Sequence, residues 1–221
     1  MLYADSPHGG KITATPTTEG KCPLCGAALI PKCGSINAWH WAHKTTADCD
    51  PWSDGETAWH LGWKKLVEPA FCEFRLPPHR ADILGNDATV IELQHSPISA
   101  EEIQERERFY DNMVWLFDGT ALGRRFKQER RCKYNVPWYS QDLQWVDFRW
   151  KHTRRSLGSC QKPIYLDIGN GTVIEFHYFH PQSEYSETYS TWYEAGEGSG
   201  AMMSHAAFAH RYLSQVRKVQ L

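Results

Sequence analysis

Apolar and polar positions change period several times along the chain, and the changes mark out its elements. From Ser53 to Val67, apolar Trp59, Trp63, Leu66 and Val67 recur at the spacing of one helix face, and Ser53 with Glu56 three residues later reads as a capping box. Pro69 closes that helix. Alternation follows: Phe71 to Leu76, His79 to Leu84 and Ala88 to Gln94 read as strands, the last two joined by the turn Gly85-Asn86-Asp87. Ser99-Ala-Glu-Glu102 opens a charged helix running to about Asn112, and Met113 to Phe117 reads as a short buried strand. The order is α-β-β-β-α-β. Further on, Ile164 to Ile168 and Thr172 to Phe179 form a hairpin across Gly169-Asn-Gly171, while the Tyr/Ser/Thr/Glu-rich stretch Gln182 to Gly200 reads as loop or edge structure. Met203, Ala206, Ala207, Leu213 and Val216 predict a closing helix within Met202 to Val219. The pattern gives a mixed α/β (α+β) fold in three regions: 1–50, a core over 51–120, and an extension over 121–221.

Polar residues inside these elements carry the candidate chemistry. Glu56, His60 and Lys64 are spaced four and four, which sets them on one face of the expected helix. A capping Glu56 with solvated His60 and Lys64 fits the same spacing. Glu92 and Gln94 lie two apart and share a strand face, and Asp82 can meet them from the paired strand. Carboxylates among Ile83, Val90, Ile91 and Leu93 are costly to bury alone, and a divalent cation is their natural partner.

The seven cysteines are odd in number, and four of them lie between Cys22 and Cys49, a pattern that favours metal over disulfides. Cys22-Pro-Leu-Cys25-Gly26 is a turn in which two thiolates grip one tetrahedral ion. Cys33, His40, His43 and Cys49 offer the remaining ligands; Cys22, Cys25, His43 and Cys49 form the favoured set, with His40 in reserve and Cys33 in a turn. Four protein ligands close the site to substrate, so this zinc is expected to be structural.

The net charge of −2 excludes a global attraction to nucleic acid. A local one remains open: ten Lys/Arg between Ala121 and Cys160 face three acids, with Trp138, Trp145 and Trp150 interleaved, suiting either phosphates and stacked bases or a solvated face over core tryptophans. No apolar run reaches membrane-spanning length and no signal peptide is evident, so a cytoplasmic setting without membrane association is expected.

The αβββαβ order, with acids on its second and third strands, resembles the PD-(D/E)XK nuclease core. Cys22-x-x-Cys25, His40-Trp-Ala-His43, Glu56-x-x-x-His60-x-x-x-Lys64, Arg80-Ala-Asp82, Glu92-Leu-Gln94-His-Ser96 and Arg106-x-x-x-Tyr110, in that order over residues 20 to 118, look like the competence-protein CoiA-like nuclease family. That resemblance implies a nuclease acting on DNA, single-stranded and branched forms included, in uptake, recombination or defence. It implies Mg²⁺ or Mn²⁺ on Asp82 and Glu92, with Glu56 able to complete the shell, His60 orienting water or phosphate, and Gln94 placing the nucleophile. Lys64, Arg80 and Arg106 would neutralise phosphate. The larger superfamily carries lysine where this chain has Gln94, and an amide hydrogen-bonds without supplying charge. Two other readings fit the residues: a nucleic-acid-binding protein that keeps the scaffold without turnover, and a zinc-ribbon adaptor for a protein partner.

Overall fold

A computed structural model describes residues 1–35, 39–44, 49–52, 55–130, 144–181 and 195–218. The chain divides into two compact units, Met1–Glu92 with Tyr212–Leu221, and Leu93–Arg211.

The first unit begins with five short strands, β1 (Tyr3–Asp5), β2 (Lys11–Thr13), β3 (Gly20–Lys21), β4 (Ala28–Lys32) and β5 (His40–His43), in the order β2-β1-β3-β4-β5. All their pairings are antiparallel. They enclose a small core of Ala4, Ala14, Cys22, Leu29 and Trp41. Gly20 is required by close approach: a Cβ there would lie 2.6 Å from the Ala4 Cβ and 3.0 Å from the Trp41 ring. A core this small gains little from apolar burial and calls for a staple.

Helix α1 is shorter than its periodicity suggests, spanning Ala58–Lys64. Its N-cap is Thr57, and the reciprocal partner is His60, whose Nδ1 lies 3.3 Å from the Thr57 N–H. Glu56 therefore precedes the helix instead of riding on it, because Thr57 offers the hydroxyl that satisfies the first-turn amides. Ser53, the expected cap, lies outside the described residues. Three antiparallel strands follow, β6 (Cys72–Leu76), β7 (His79–Leu84) and β8 (Val90–Gln94), close to their expected bounds.

The second unit carries helix α2 (Ala100–Tyr110), capped by Ser99, whose hydroxyl accepts the Glu102 N–H. Its strands are β9 (Met113–Asp118), β10 (Phe126–Arg130), β11 (Gln144–Trp150), β12 (Ile164–Gly169), β13 (Thr172–His180) and β14 (Gly196–Ser204), ordered β10-β11-β14-β13-β12-β9. Strands β9 and β12 run parallel and the other pairs antiparallel. Buried Glu107 on α2 accepts from the Trp115 indole at 2.9 Å and from the Gln161 and Lys162 amides at 2.9 and 3.1 Å, tying helix to sheet.

Strand β14 corrects the reading of Gln182 to Gly200 as loop or edge over its described part. It lies between β11 and β13. Its glycines fit this interior place because the neighbours fill the space: a Cβ on Gly200 would sit 2.2 Å from the Glu175 carbonyl, and one on Gly198 2.5 Å from the Phe148 ring. Residues 182–194 lie outside the described residues. Met202 and Met203 belong to this strand, and the closing helix α3 spans His205–Leu213, starting where the Ser204 hydroxyl accepts the Ala207 N–H. Among the described residues no helix is long and apolar enough to cross a membrane.

Candidate metal centre and acidic site

The Cys22–Cys25 turn is closed by the Cys22 N–H to the Ala27 carbonyl and the Gly26 N–H to the Cys22 carbonyl, with Gly26 at φ 74°. His43 ends β5, and Cys49 follows it in the chain. The ligand atoms of Cys22, Cys25, His43 and Cys49 all lie within 4.8 Å of one another. Cys22 and Cys49 sulfurs are 3.7 Å apart, and Cys25 Sγ is 3.4 Å from His43 Nε2. Tetrahedral coordination with metal–sulfur bonds of about 2.3 Å puts sulfurs about 3.8 Å apart, so this donor set fits a zinc-like ion. Burial, then the charges of Arg80 and the N-terminal ammonium, hold His43 below its ordinary pKa and keep it neutral, as a ligand must be. Cys33 packs against the N-terminal core, and neither it nor His40 joins the four-ligand set. Buried Asp50, next to Cys49, accepts the Arg80 N–H at 2.9 Å and contacts His79 Nδ1 at 2.9 Å, which anchors this region to β7.

The acidic site is built by register. Pairs Ile83↔Ile91 and Leu84↔Val90, continued by one residue, set Asp82 opposite Glu92, and the Asp82 N–H reaches Glu92 Oε1 at 3.3 Å. Pairs Cys72↔Ile83 and Phe74↔Ala81 bracket Glu73 against Asp82. Three strands thus contribute a row of acids, Glu73, Asp82 and Glu92. The sequence reading missed Glu73, although its place in an alternating strand beside Asp82 is a signal that register would have exposed. Glu73 is fully buried at φ 50°, a left-handed conformation that costs a side-chain-bearing residue, and accepts the Leu2 and Tyr3 amides at 2.7 and 2.8 Å.

Lys64 meets this row from the last turn of α1. It is 1% exposed, and its ammonium lies 2.6 Å from Glu56 Oε1, 2.8 Å from Asp82 Oδ1 and 3.4 Å from Glu73 Oε1. Burial opposes its charge, but Asp82, Glu56 and Glu73 outweigh burial and hold its pKa well above the usual lysine value. Glu56 is opposed by burial in the same way, yet Lys64 and then the N-terminal ammonium lower its carboxyl to about 2. The Glu56 contribution is therefore complete above its ordinary value of 4.5 and is lost as pH falls toward 2. Urea denaturation across that window is expected to show falling stability, with a shallower slope in Glu56→Gln; identical slopes would contradict the assignment.

His60 is buried and its Nδ1 contacts the Thr57 hydroxyl at 2.8 Å, so this nitrogen serves the cap. Gln94, two residues beyond Glu92 on β8, is buried and donates to the Ser96 carbonyl at 2.9 Å. Arg106 pairs with Glu102 along α2. Asp82 and Glu92 carry hard oxygen donors of the kind that suit Mg²⁺ or Mn²⁺, and Glu56 Oε2 is a buried oxygen with no hydrogen-bond partner among the described residues. Trp145 and Trp150 are buried and unavailable for stacking on bases, while Trp138, Arg131 and Lys133 lie outside the described residues. Lys127 and Arg149 line a cavity of about 580 Å³ together with Glu129, Asp147 and Glu197, so the charges there are mixed.

Comparison with known families agrees with this layout. Residues 14–51 match the family described as competence protein CoiA, N-terminal domain, and residues 67–185 match competence protein CoiA, nuclease-like domain. No curated protein matches the chain, and no solved structure does. With the nuclease-like match spanning more than half of the 221 residues, and the N-terminal match preceding it over the Cys/His turn, the chain belongs to the CoiA-like competence protein family.

Proposed function

We propose that the protein is a metal-dependent DNA nuclease whose acidic centre is Asp82 and Glu92, with a structural zinc on Cys22, Cys25, His43 and Cys49. The observation that supports it most is the opposition of Asp82 and Glu92 on paired strands inside a nuclease-like domain. Mg²⁺ or Mn²⁺ held by these carboxylates would supply Lewis acidity and a water of lowered pKa for phosphodiester hydrolysis. The chain's own contribution is positional: β7 and β8 fix the carboxylates, and Gln94 offers an amide where a charged residue would give electrostatic stabilisation.

The test is cleavage of single-stranded, double-stranded and branched DNA with Mg²⁺, Mn²⁺ or EDTA. Wild type is expected to cleave in a metal-dependent manner, and Asp82→Ala and Glu92→Ala to lose on the order of 10²–10³-fold, the size typical of one lost transition-state stabiliser. Intact DNA in every wild-type lane would replace this reading with that of a DNA-binding protein on a nuclease scaffold.

A further inference from the structure

Three carboxylates converge on one point of the first unit, and a side chain of the same chain already stands there. The Lys64 ammonium has three N–H donors, and Glu56, Asp82 and Glu73 lie at 2.6, 2.8 and 3.4 Å from it. Such convergence of oxygens on a buried positive centre is the arrangement of a cation site, and carboxylate oxygens are the donors that Mg²⁺ and Mn²⁺ prefer. A second observation points the same way. Glu56 Oε2 belongs to a carboxylate whose side chain is 6% exposed, and among the described residues that atom has no hydrogen-bond partner. The monovalent ammonium thus leaves an acceptor unused beside it, which a divalent ion with several coordination positions would take.

We infer that Lys64 is the resident cation of a carboxylate site formed by Glu56, Glu73 and Asp82, and that a divalent metal ion and the Lys64 ammonium occupy it in competition. The inference deepens the nuclease reading, since Asp82 is shared with the proposed catalytic centre: metal loading there is opposed by the side chain that neutralises the carboxylates. Two positive centres a few ångströms apart repel strongly at the low effective dielectric of a buried site. The N-terminal ammonium also lies 3.5 Å from Glu56 Oε1, so removing the Lys64 ammonium leaves three buried carboxylates short of positive charge, a deficit that a divalent ion would offset.

The experiment compares Mn²⁺ binding to the full zinc-loaded chain in wild type, Lys64→Met and Lys64→Arg by electron paramagnetic resonance, with thermal melting of each protein at several Mn²⁺ concentrations. Lys64→Met is expected to bind Mn²⁺ at least about tenfold more tightly than wild type. Its melting temperature is expected to start lower and rise more steeply with Mn²⁺, because the ion binds only the folded form. Lys64→Arg, which keeps the positive charge, is expected to gain no affinity. Equal or weaker Mn²⁺ binding by Lys64→Met overturns the competition, as does a Lys64→Met protein that stays unfolded at saturating Mn²⁺. DNA cleavage is read separately: an inactive wild type removes the nuclease reading, while the affinities still decide the role of Lys64.

Discussion

Serine in place of Cys22 or Cys49 is expected to release the ion and unfold the N-terminal sheet. Strands β1 to β5 hold two to five residues each, and their shared core is a handful of side chains around Trp41. Structural zinc sites contribute apparent free energies of roughly 10–16 kcal/mol, which in a sheet of this size exceeds what apolar burial provides. Cys49 also precedes Asp50, whose carboxylate holds the Arg80 amide, so losing Cys49 loosens the anchor to β7 as well. Zinc stoichiometry and amide hydrogen exchange over residues 1–35 are the measurements. Cys22→Ser and Cys49→Ser should lose both bound zinc and protection, whereas Cys33→Ser should keep both and cost less than about 1 kcal/mol. A Cys22→Ser protein with full zinc and unchanged protection would show that the sheet stands without the centre.

Glu73→Ala is expected to cost about 3–5 kcal/mol, the penalty for removing one partner of a buried charge pair. Its carboxylate satisfies the Leu2 and Tyr3 amides and faces Lys64, so the truncation leaves two buried N–H groups unpaired and shifts the charge balance around the ammonium. Glu73→Gln keeps one acceptor oxygen and should cost less. Urea denaturation of the two variants measures the difference. An alanine variant within 1 kcal/mol of wild type would mean that water or the backbone replaces the carboxylate at little cost.

Legibility from sequence followed the range of the interactions involved. The strands from Cys72 to Gln94, helix α2 and β9 come from local alternation, local capping and short apolar runs, and their observed bounds lie within two residues of those expected. The opposition of Asp82 and Glu92 was legible for the same reason, since a short connection between adjacent strands leaves few registers that keep Ile83 and Ile91 on compatible faces. The Cys22 and Cys25 half of the Cys/His cluster was legible because a chelating turn is a local device, and the clustering of Cys and His residues up to Cys49 supplied the rest. Misreadings arose where a distant neighbour decided the outcome. Glycines at 198 and 200 read as loop until β11 and β13 are seen to press against them. Glu56 appeared to share a helix face with Lys64, and it meets Lys64 from outside the helix because Thr57 takes the cap.

By itself the sequence determined the order of the central elements, the Cys/His residues that could hold an ion and the two acids that face each other, set by periodicity, capping and the spacing of short motifs. Tertiary structure alone decided that Glu73 joins those acids, that Lys64 is a buried counter-ion rather than a surface base, and that Trp145 and Trp150 serve the core. The physical reason is that the charge state and exposure of a side chain are fixed by what surrounds it in space, and those surroundings come from segments far apart in the chain.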